Sequence, residues 1–409
     1  MAVIGAGAAG LMAAIFAASR GAETLLLERT SDGGRKILIS GGGRCNILPT
    51  RVNERRFVTD SSPHSLRKIL RSWPLAGQIE FFEREVGTAL VEEEESGKLF
   101  PASQRARDVR DGLLALAAAR GARFLPDTLV TDIRPGPAGW RIERAGDSPL
   151  LAHAVVVATG GLSVPKTGSD GTGLAILRRL GHTVHPTYAA LTPVLAEGGP
   201  FALLAGVSLP VTITARSGER EATATGGFLF THHGYSGPAV LDVSHVIVRS
   251  REPGAAPATL EVQWTRLEAG EWVGALARAG TRTVGGVVRR ELPDRLADVL
   301  MARAGVDPAT RLAQLHREDR QRLVEALTRS VLPWTGDEGY KKAEVTGGGV
   351  NLAEVDPVTL ESRKHAGLHI CGEALDAFGP IGGYNFLWAW STGRAAGLAA
   401  ALAPPRRTE

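Results

Sequence analysis

Cysteine is scarce. The 409-residue chain carries two, Cys45 and Cys371, 326 positions apart. That excludes a disulfide framework and a CxxC redox or metal pair, and a reducing cytoplasm is the expected compartment. A surplus of one charge is also missing: 47 Lys and Arg stand against 43 Asp and Glu, a net of +4, with 22% charged and 44% hydrophobic residues. Disordered and fibrous classes are thereby excluded. Uncharged apolar runs of about 18 residues occur nowhere beyond the N-terminus, so no membrane span is expected. The N-terminal run itself, residues 2–19, lacks the basic start and small-residue cleavage site of a secretory signal and has glycines at fixed offsets instead. Metal spacing is absent too. Neither His232-His233 nor the pair His182 and His185 is completed by a carboxylate or thiol, and no Ser-His-Asp order or nucleophile elbow stands out. The chemistry is therefore expected from a cofactor.

What the chain has in excess is glycine, 50 residues clustered in runs. The first run is GAGAAG at residues 5–10, preceded by Val3-Ile4 and followed by Leu11, Ala14, Ile15 and Ala18 at helical spacing up to Gly21. This reads as strand, turn and helix. In such a turn the first glycine makes the bend, the second lets a pyrophosphate approach the backbone, and the third allows close helix packing. Glu28 closes the apolar run at residues 24–27 and lies 23 residues after Gly5, placed to accept from ribose hydroxyls. Only three residues precede Ile4, so either the first strand pairs less fully than usual or the true start lies upstream.

A second glycine run, Ser40-Gly41-Gly42-Gly43-Arg44-Cys45-Asn46, offers bare backbone against which a flat ring can lie, with Lys36 and Arg44 as nearby cations. Cys45 reads as a small packed side chain. The run AVVVAT at residues 154–159 is a buried strand ending in Gly160-Gly161, at the edge where open α/β sheets bind ligands. Near the end, Cys371-Gly372-Glu373 and Gly379-Pro380-Ile381-Gly382-Gly383-Tyr384-Asn385 lead into an apolar helix expected over about 385–402, whose start would face a group gaining negative charge.

Between these, a helical pattern is expected over about 66–86 with a break at Pro74, and another over 105–120. A meander is expected over 123–143 with a turn at Pro135-Gly136-Pro137. Short β runs fill the chain up to about residue 264 and helices follow to about 327. Residues 35–71 hold nine Lys and Arg against two acids, a local net of +7, which would attract a phosphate-bearing or acidic substrate or serve as a solvated face.

Taken together, GAGAAGLMAA, GRKILISGGGRCN, GKLFP, VVVATGGLSVPKTGSDGTG, GFLFTHHGYSGPAVLDVS, EVTGGGVNLAEVDPVTLESR and CGEALDAFGPIGGYNF resemble the bacterial BaiN-type, aminoacetone-oxidase-like NAD(P)/FAD-dependent flavoproteins. The resemblance spans both chain ends and is thin over about 245–335. It implies an α/β, Rossmann-like FAD-binding domain (1–186 plus 338–409) with a β-barrel-like insert (187–265 plus 331–337) and a helical subdomain (266–330). It implies non-covalent FAD. Gly5, Gly7, Ala8, Ala9, Gly10, Glu28 and Arg29 would hold its ADP half. Lys36, Ser40, Gly42, Gly43, Arg44, Cys45 and Asn46 would line the flavin, and Thr159 and Gly160 would pass the pyrophosphate. Gly372, Glu373, Gly382, Gly383, Tyr384 and Asn385 would meet the ribityl chain and pyrimidine edge. Leu387 stands where the family pattern has a glutamine, so no polar contact is expected there. Arg44, His232 and Tyr235 are the candidate catalytic groups, the last two from Thr231-His232-His233-Gly234-Tyr235-Ser236-Gly237-Pro238, which also reads as a rigid turn.

The implied activity is an FAD-dependent oxidoreductase, linked to NAD(P)H as a transient reductant and acting on a small organic substrate. No second GxGxxG follows a strand, so a separate nicotinamide domain is not expected. Two other readings are an RNA-acting flavoprotein and a non-catalytic flavin-binding redox or regulatory protein. Against RNA, residues 270–330 carry eleven Arg but eight acids, alternating in sign and without interleaved aromatics.

Overall fold

The computed structural model describes residues 1–136, 139–199, 201–277 and 281–402. The chain divides into two compact units, Met1–Tyr188 with the chain from Glu344 onward, and Ala189–Ala343.

The first unit is built on a five-stranded parallel sheet in the order Leu368–Ile370, Val155–Val157, Ala2–Ile4, Leu25–Leu27, Arg123–Leu125. Each strand has three residues. AVI, LLL and VVV are uniformly apolar because a central parallel strand is covered on both faces. Arg123–Leu125, expected as the start of the meander, is instead the outer parallel strand. The meander itself comprises Val130–Gly136, Gly139–Arg144 and Asp147–Ala152. The turn expected at Pro135-Gly136-Pro137 falls partly outside the described residues, at Pro137.

The first helix, Ala8–Ala18, is apolar all round and almost wholly buried, so it needs partners on every side. Helices Ala106–Ala119 and Tyr384–Ala400 supply them. The last helix approaches through Gly393 and Gly397, where an added Cβ would stand 2.2 Å from the carbonyl oxygens of Ala9 and Ala13. The pattern broken at Pro74 resolves into Pro63–Arg71 and Leu75–Glu80, continued by Phe81–Glu85.

A polar knot ties helix Thr172–Arg179 to the later segment around residues 351–366. His182 Nδ1 lies 2.9 Å and the Lys364 Nζ 2.8 Å from Glu354, whose carboxylate also accepts from the Thr183 N–H at 2.9 Å. Ser362 Oγ is 3.0 Å from His182 Nε2. Burial opposes the Glu354 charge, but Lys364, Thr183 and His182 outweigh it and hold the carboxyl at about 2. Burial also lowers His182 and keeps it neutral against the pull of Glu354. Both folded-state values lie below the unfolded ones, so both contributions are present above the unfolded pKa and are lost as pH falls. We expect the first unit to lose stability between about pH 4.5 and pH 2 in chemical-denaturation curves, by at most about 3 kcal/mol from Glu354. Glu354→Gln should remove that part of the slope. An unchanged acid slope in the variant would show that the knot does not carry it.

The second unit contains a seven-stranded sheet whose edges are Ser330–Val331 and Gly336–Asp337. Laid flat, seven strands would separate those edges by about 29 Å, yet the connection from Val331 to Gly336 reaches at most about 18 Å. The sheet therefore curls into a barrel-like form. No ladder closes the two edges among the described residues. The long hairpin of Ser208–Ser217 and Arg220–Phe230 forms its middle, with helix Pro238–Arg249 packed against it. Short helices Ala269–Ala275, Val284–Val288, Asp294–Arg303 and Arg317–Thr328 lie in the chain between two neighbouring strands of the sheet, Thr259–Gln263 and Ser330–Val331.

Candidate functional site

The GAGAAG turn sits at the carboxyl end of Ala2–Ile4, and its three glycines meet different surroundings. Gly5 has φ +98°, and an added Cβ would lie 2.6 Å from the Ala158 carbonyl oxygen. At Gly10 the Cβ would fall 1.8 Å from the Gly5 oxygen, and at Gly7 it would meet no protein atom within 4 Å. Two of these glycines thus satisfy packing, while the middle one opens outward at the start of a helix that no side chain caps. That is the arrangement an anionic pyrophosphate requires. Glu28, almost fully buried, accepts from the Ala6 N–H at 2.8 Å, the Thr30 N–H at 2.9 Å and the Thr30 hydroxyl at 2.8 Å. A carboxylate has about four acceptor positions, so one remains for a ribose hydroxyl. Arg29 is tied to Asp170 and to the Gly168 carbonyl. The Thr159 hydroxyl is buried without a partner among the described residues, packed against Gly173.

Gly372 packs on the start of the first helix, where an added Cβ would reach Ala9 Cβ at 2.8 Å. Its N–H donates to Thr392 Oγ1 and its carbonyl accepts from the Trp388 indole, both on the last helix. Beside it lies a node joining four segments. Lys36 Nζ donates to Glu373 Oε2 at 2.7 Å and to Ser163 Oγ at 2.6 Å. Glu373 Oε1 accepts from Ser163 Oγ at 2.7 Å and from the Thr346 N–H at 3.0 Å. Thr346 Oγ1 accepts from the N–H groups of Leu162 and Ser163. Burial would raise the Glu373 pKa, but the Lys36 ammonium and the converging donors lower it, so the carboxylate stays charged.

The Ser40–Gly43 turn is a second glycine-rich segment, after helix Arg35–Ile39. Gly41, Gly42 and Gly43 have φ of +54°, +67° and +84°, and no protein atom lies within 4 Å of a Cβ placed on Gly42. Gly42 and Gly43 present bare exposed backbone. Ser40 Oγ turns back to the Ile37 carbonyl. Cys45 is fully buried with φ +63°, and burial pushes its thiol up to about 12, against the opposing hydrogen bond from Ser40, so it is inert at neutral pH. Half-buried Asn46 has no side-chain hydrogen bond among the described residues. Arg44 is engaged rather than free: its guanidinium lies 2.9 Å from Glu93 and 4.2 Å from the Phe100 ring centroid.

A small sheet, Leu48–Pro49, Lys98–Pro101 and Leu90–Glu93, connects this loop to the 379–385 turn. Cβ atoms on Gly382 and Gly383 would meet Lys98 Cε at 3.3 Å and the Leu48 carbonyl carbon at 2.5 Å. Asn385 brackets the turn, accepting from the Gly379 N–H and donating to the Gly379 carbonyl. Tyr384 donates to the Arg51 carbonyl at 3.0 Å. These two side chains shape the turn, which is buried from Gly379 to Tyr384 except at the half-buried Ile381. Leu387, expected to make no polar contact, is buried.

The other candidate groups lie in the second unit. Tyr235 is buried, its hydroxyl donates to the Pro333 carbonyl at 3.0 Å, and burial raises its pKa. It lies on the short strand Gly234–Ser236, paired with Val194–Leu195 and with the end of Arg220–Phe230, so the segment expected as a rigid turn is in part a strand and its phenol is held by the Pro333 carbonyl. His232 is exposed. Among the described residues no three His, Cys, Asp or Glu gather as a metal site, and no helix is long and apolar enough to cross a membrane. Ser163, Thr346, Lys98, Glu93 and Phe100 carry no spacing or composition signal that marks them as site residues. Ser163 and Thr346 lie inside quoted motifs, but nothing in their spacing revealed their common partner Glu373.

The chain matches the HI0933-like protein Rossmann domain family over residues 1–399. It is 34% identical over 399 residues to an Escherichia coli K12 protein named ribosomal RNA dihydrouridine synthase, covering 95% of each chain. It is 32% identical over 413 residues to the 3-dehydro-bile acid delta(4,6)-reductase of Clostridium scindens, covering 98% of this chain and 99% of that one. In fold it is similar to 3-ketosteroid delta1-dehydrogenase from Sterolibacterium denitrificans, solved with 1,4-androstadiene-3,17-dione, with a TM-score of 0.52 at 13% identity over 98% of each chain. With the open glycine turn, the buried Glu28 and the parallel sheet in place, the chain belongs to the HI0933-like Rossmann family of FAD-binding oxidoreductases.

Proposed function

We propose that the protein is an NAD(P)H-linked FAD reductase that saturates an activated carbon–carbon double bond in a small organic substrate. The observation that carries this reading is the open edge formed by Gly42 and Gly43, where backbone without side chains faces outward. Two relatives, one named as a delta(4,6)-reductase and one as a dihydrouridine synthase, share a common chemistry in their names, the saturation of a ring double bond. Bound FAD would supply the hydride-accepting and hydride-donating ring.

The chain's own residues do the rest. The uncapped start of helix Tyr384–Ala400 would offer N–H groups and a partial positive charge to a group that gains negative charge. Lys36 and Glu373 tie the 372–374 turn to helix Arg35–Ile39, and the amide of Asn46, without a hydrogen bond among the described residues, is available to a polar ring edge. A second reading takes the double bond to be that of a uracil ring in RNA, favoured by the name of the Escherichia coli relative.

Anaerobic mixing with NADH and with NADPH should bleach the flavin band near about 450 nm, and an α,β-unsaturated ketone should restore it. A flavin that stays oxidised with both nucleotides would defeat the reductase reading.

A further inference from the structure

The basic run at residues 35–71 is divided by the fold. Arg35 is paired with Asp32, Lys36 with Glu373 and Arg44 with Glu93. On helix Pro63–Arg71 the cations are arranged differently. His64, Arg67, Lys68 and Arg71 stand at i, i+3, i+4 and i+7, one stripe on the helix, while Leu66, Ile69 and Leu70 bury the other face. Arg71 is neutralised by two bonds to Glu54, each 2.8 Å. His64, Arg67 and Lys68 have no acidic partner among the described residues. Like-charged neighbours at this spacing cost about 0.2–0.5 kcal/mol per pair. Folding needs only the opposite face, so the stripe calls for another reason.

That stripe forms one wall of a groove of about 470 Å³, a volume within the range of small-ligand sites. Ser72 adds a hydroxyl, and Pro357 and Val358 form the facing apolar wall, with Val358 56% exposed. We propose that this groove seats the 2′-phosphoadenosine end of NADPH. The assignment rests on the nicotinamide-linked reading above. Arg67, Lys68 and, when protonated, His64 match the −1.5 to −2 charge of a phosphate monoester, and Ser72 supplies a further donor. The adenine ring lies on Pro357 and Val358. The stripe runs only about 10 Å along its helix and is capped at one end by the Arg71–Glu54 pair, which suits one phosphate group rather than a strand of them. NADH carries a hydroxyl where NADPH carries this phosphate, so the groove makes the protein prefer NADPH.

The test titrates the FAD-loaded protein calorimetrically with adenosine 2′,5′-bisphosphate and with 5′-AMP, and follows anaerobic flavin reduction by both nucleotides. The bisphosphate should bind more tightly than 5′-AMP and compete with NADPH. Arg67→Gln with Lys68→Gln should weaken bisphosphate and NADPH binding by at least about tenfold, the loss of one or two charge-assisted hydrogen bonds, while reduction by NADH is unchanged. Equal binding of bisphosphate and 5′-AMP, or unaltered NADPH affinity in the double variant, would overturn the assignment while leaving flavin reduction intact. Loss of binding to a single-stranded RNA oligonucleotide, with bisphosphate binding retained, would assign the stripe to a polynucleotide instead. If neither nucleotide reduces the flavin, the reductant reading fails and the NADPH assignment fails with it, whatever the bisphosphate titration shows.

Discussion

Gly7→Val should yield a folded protein that purifies without colour. Gly7 has φ −77° and ψ −171°, an extended conformation open to any residue, and its Cβ would meet no protein atom within 4 Å. The fold therefore loses little, about 1 kcal/mol for a poorer helix cap. The valine methyls would instead occupy the approach of the pyrophosphate to the first turn of the helix. Two charge-assisted hydrogen bonds lost at about 1.5–3 kcal/mol each correspond to a hundredfold or greater fall in FAD affinity. Gly10→Val supplies the contrast. Its Cβ would lie 1.8 Å from the Gly5 oxygen and 3.3 Å from Ala158 Cβ, so it should disrupt the turn and the packing together. FAD titration by fluorescence and thermal melting by circular dichroism separate the two effects. A yellow Gly7→Val protein with undiminished affinity would remove the turn from the cofactor site.

Gly397→Val should produce the largest loss of stability in the first unit. Gly393 and Gly397, four residues apart, place the last helix backbone directly on the backbone of the first, and a Cβ at Gly397 would be 2.2 Å from the Ala13 oxygen and 2.8 Å from Ala13 Cα. Neither neighbour is a side chain that can turn away, so the helices must separate and their buried apolar faces lose contact. Overpacking of this kind costs about 3 kcal/mol or more, equivalent to a fall of about 6–12 °C in the melting of this unit. Gly274→Ala, on helix Ala269–Ala275 with no atom within 4 Å of the added Cβ, should be neutral or raise stability by up to about 1 kcal/mol. Equal effects at the two positions would show that helix contact is not the cause.

The strand, turn and helix at the N-terminus, the buried strand at Val155–Val157 and the helix from Tyr384 onward are legible along the chain. Each is a local requirement: a left-handed bend that needs glycine, a run short and apolar enough to be covered on both faces, or a longer apolar run that forms a helix buried on every side. Glu28 was legible for the same reason, since one strand–helix–strand unit fixes how far it lies from the turn. Tertiary structure alone decided which partner each polar group took. Lys36 and Glu373 are 337 positions apart, and no period connects them with Ser163 and Thr346. Arg44 became half of an ion pair over Phe100, Tyr235 became a locked phenol, and Arg123–Leu125 joined the parallel sheet rather than the meander. The basic run followed the same rule: its net charge could be counted along the chain, but which cations would be neutralised and which left facing a groove depended on contacts that form only when distant segments meet.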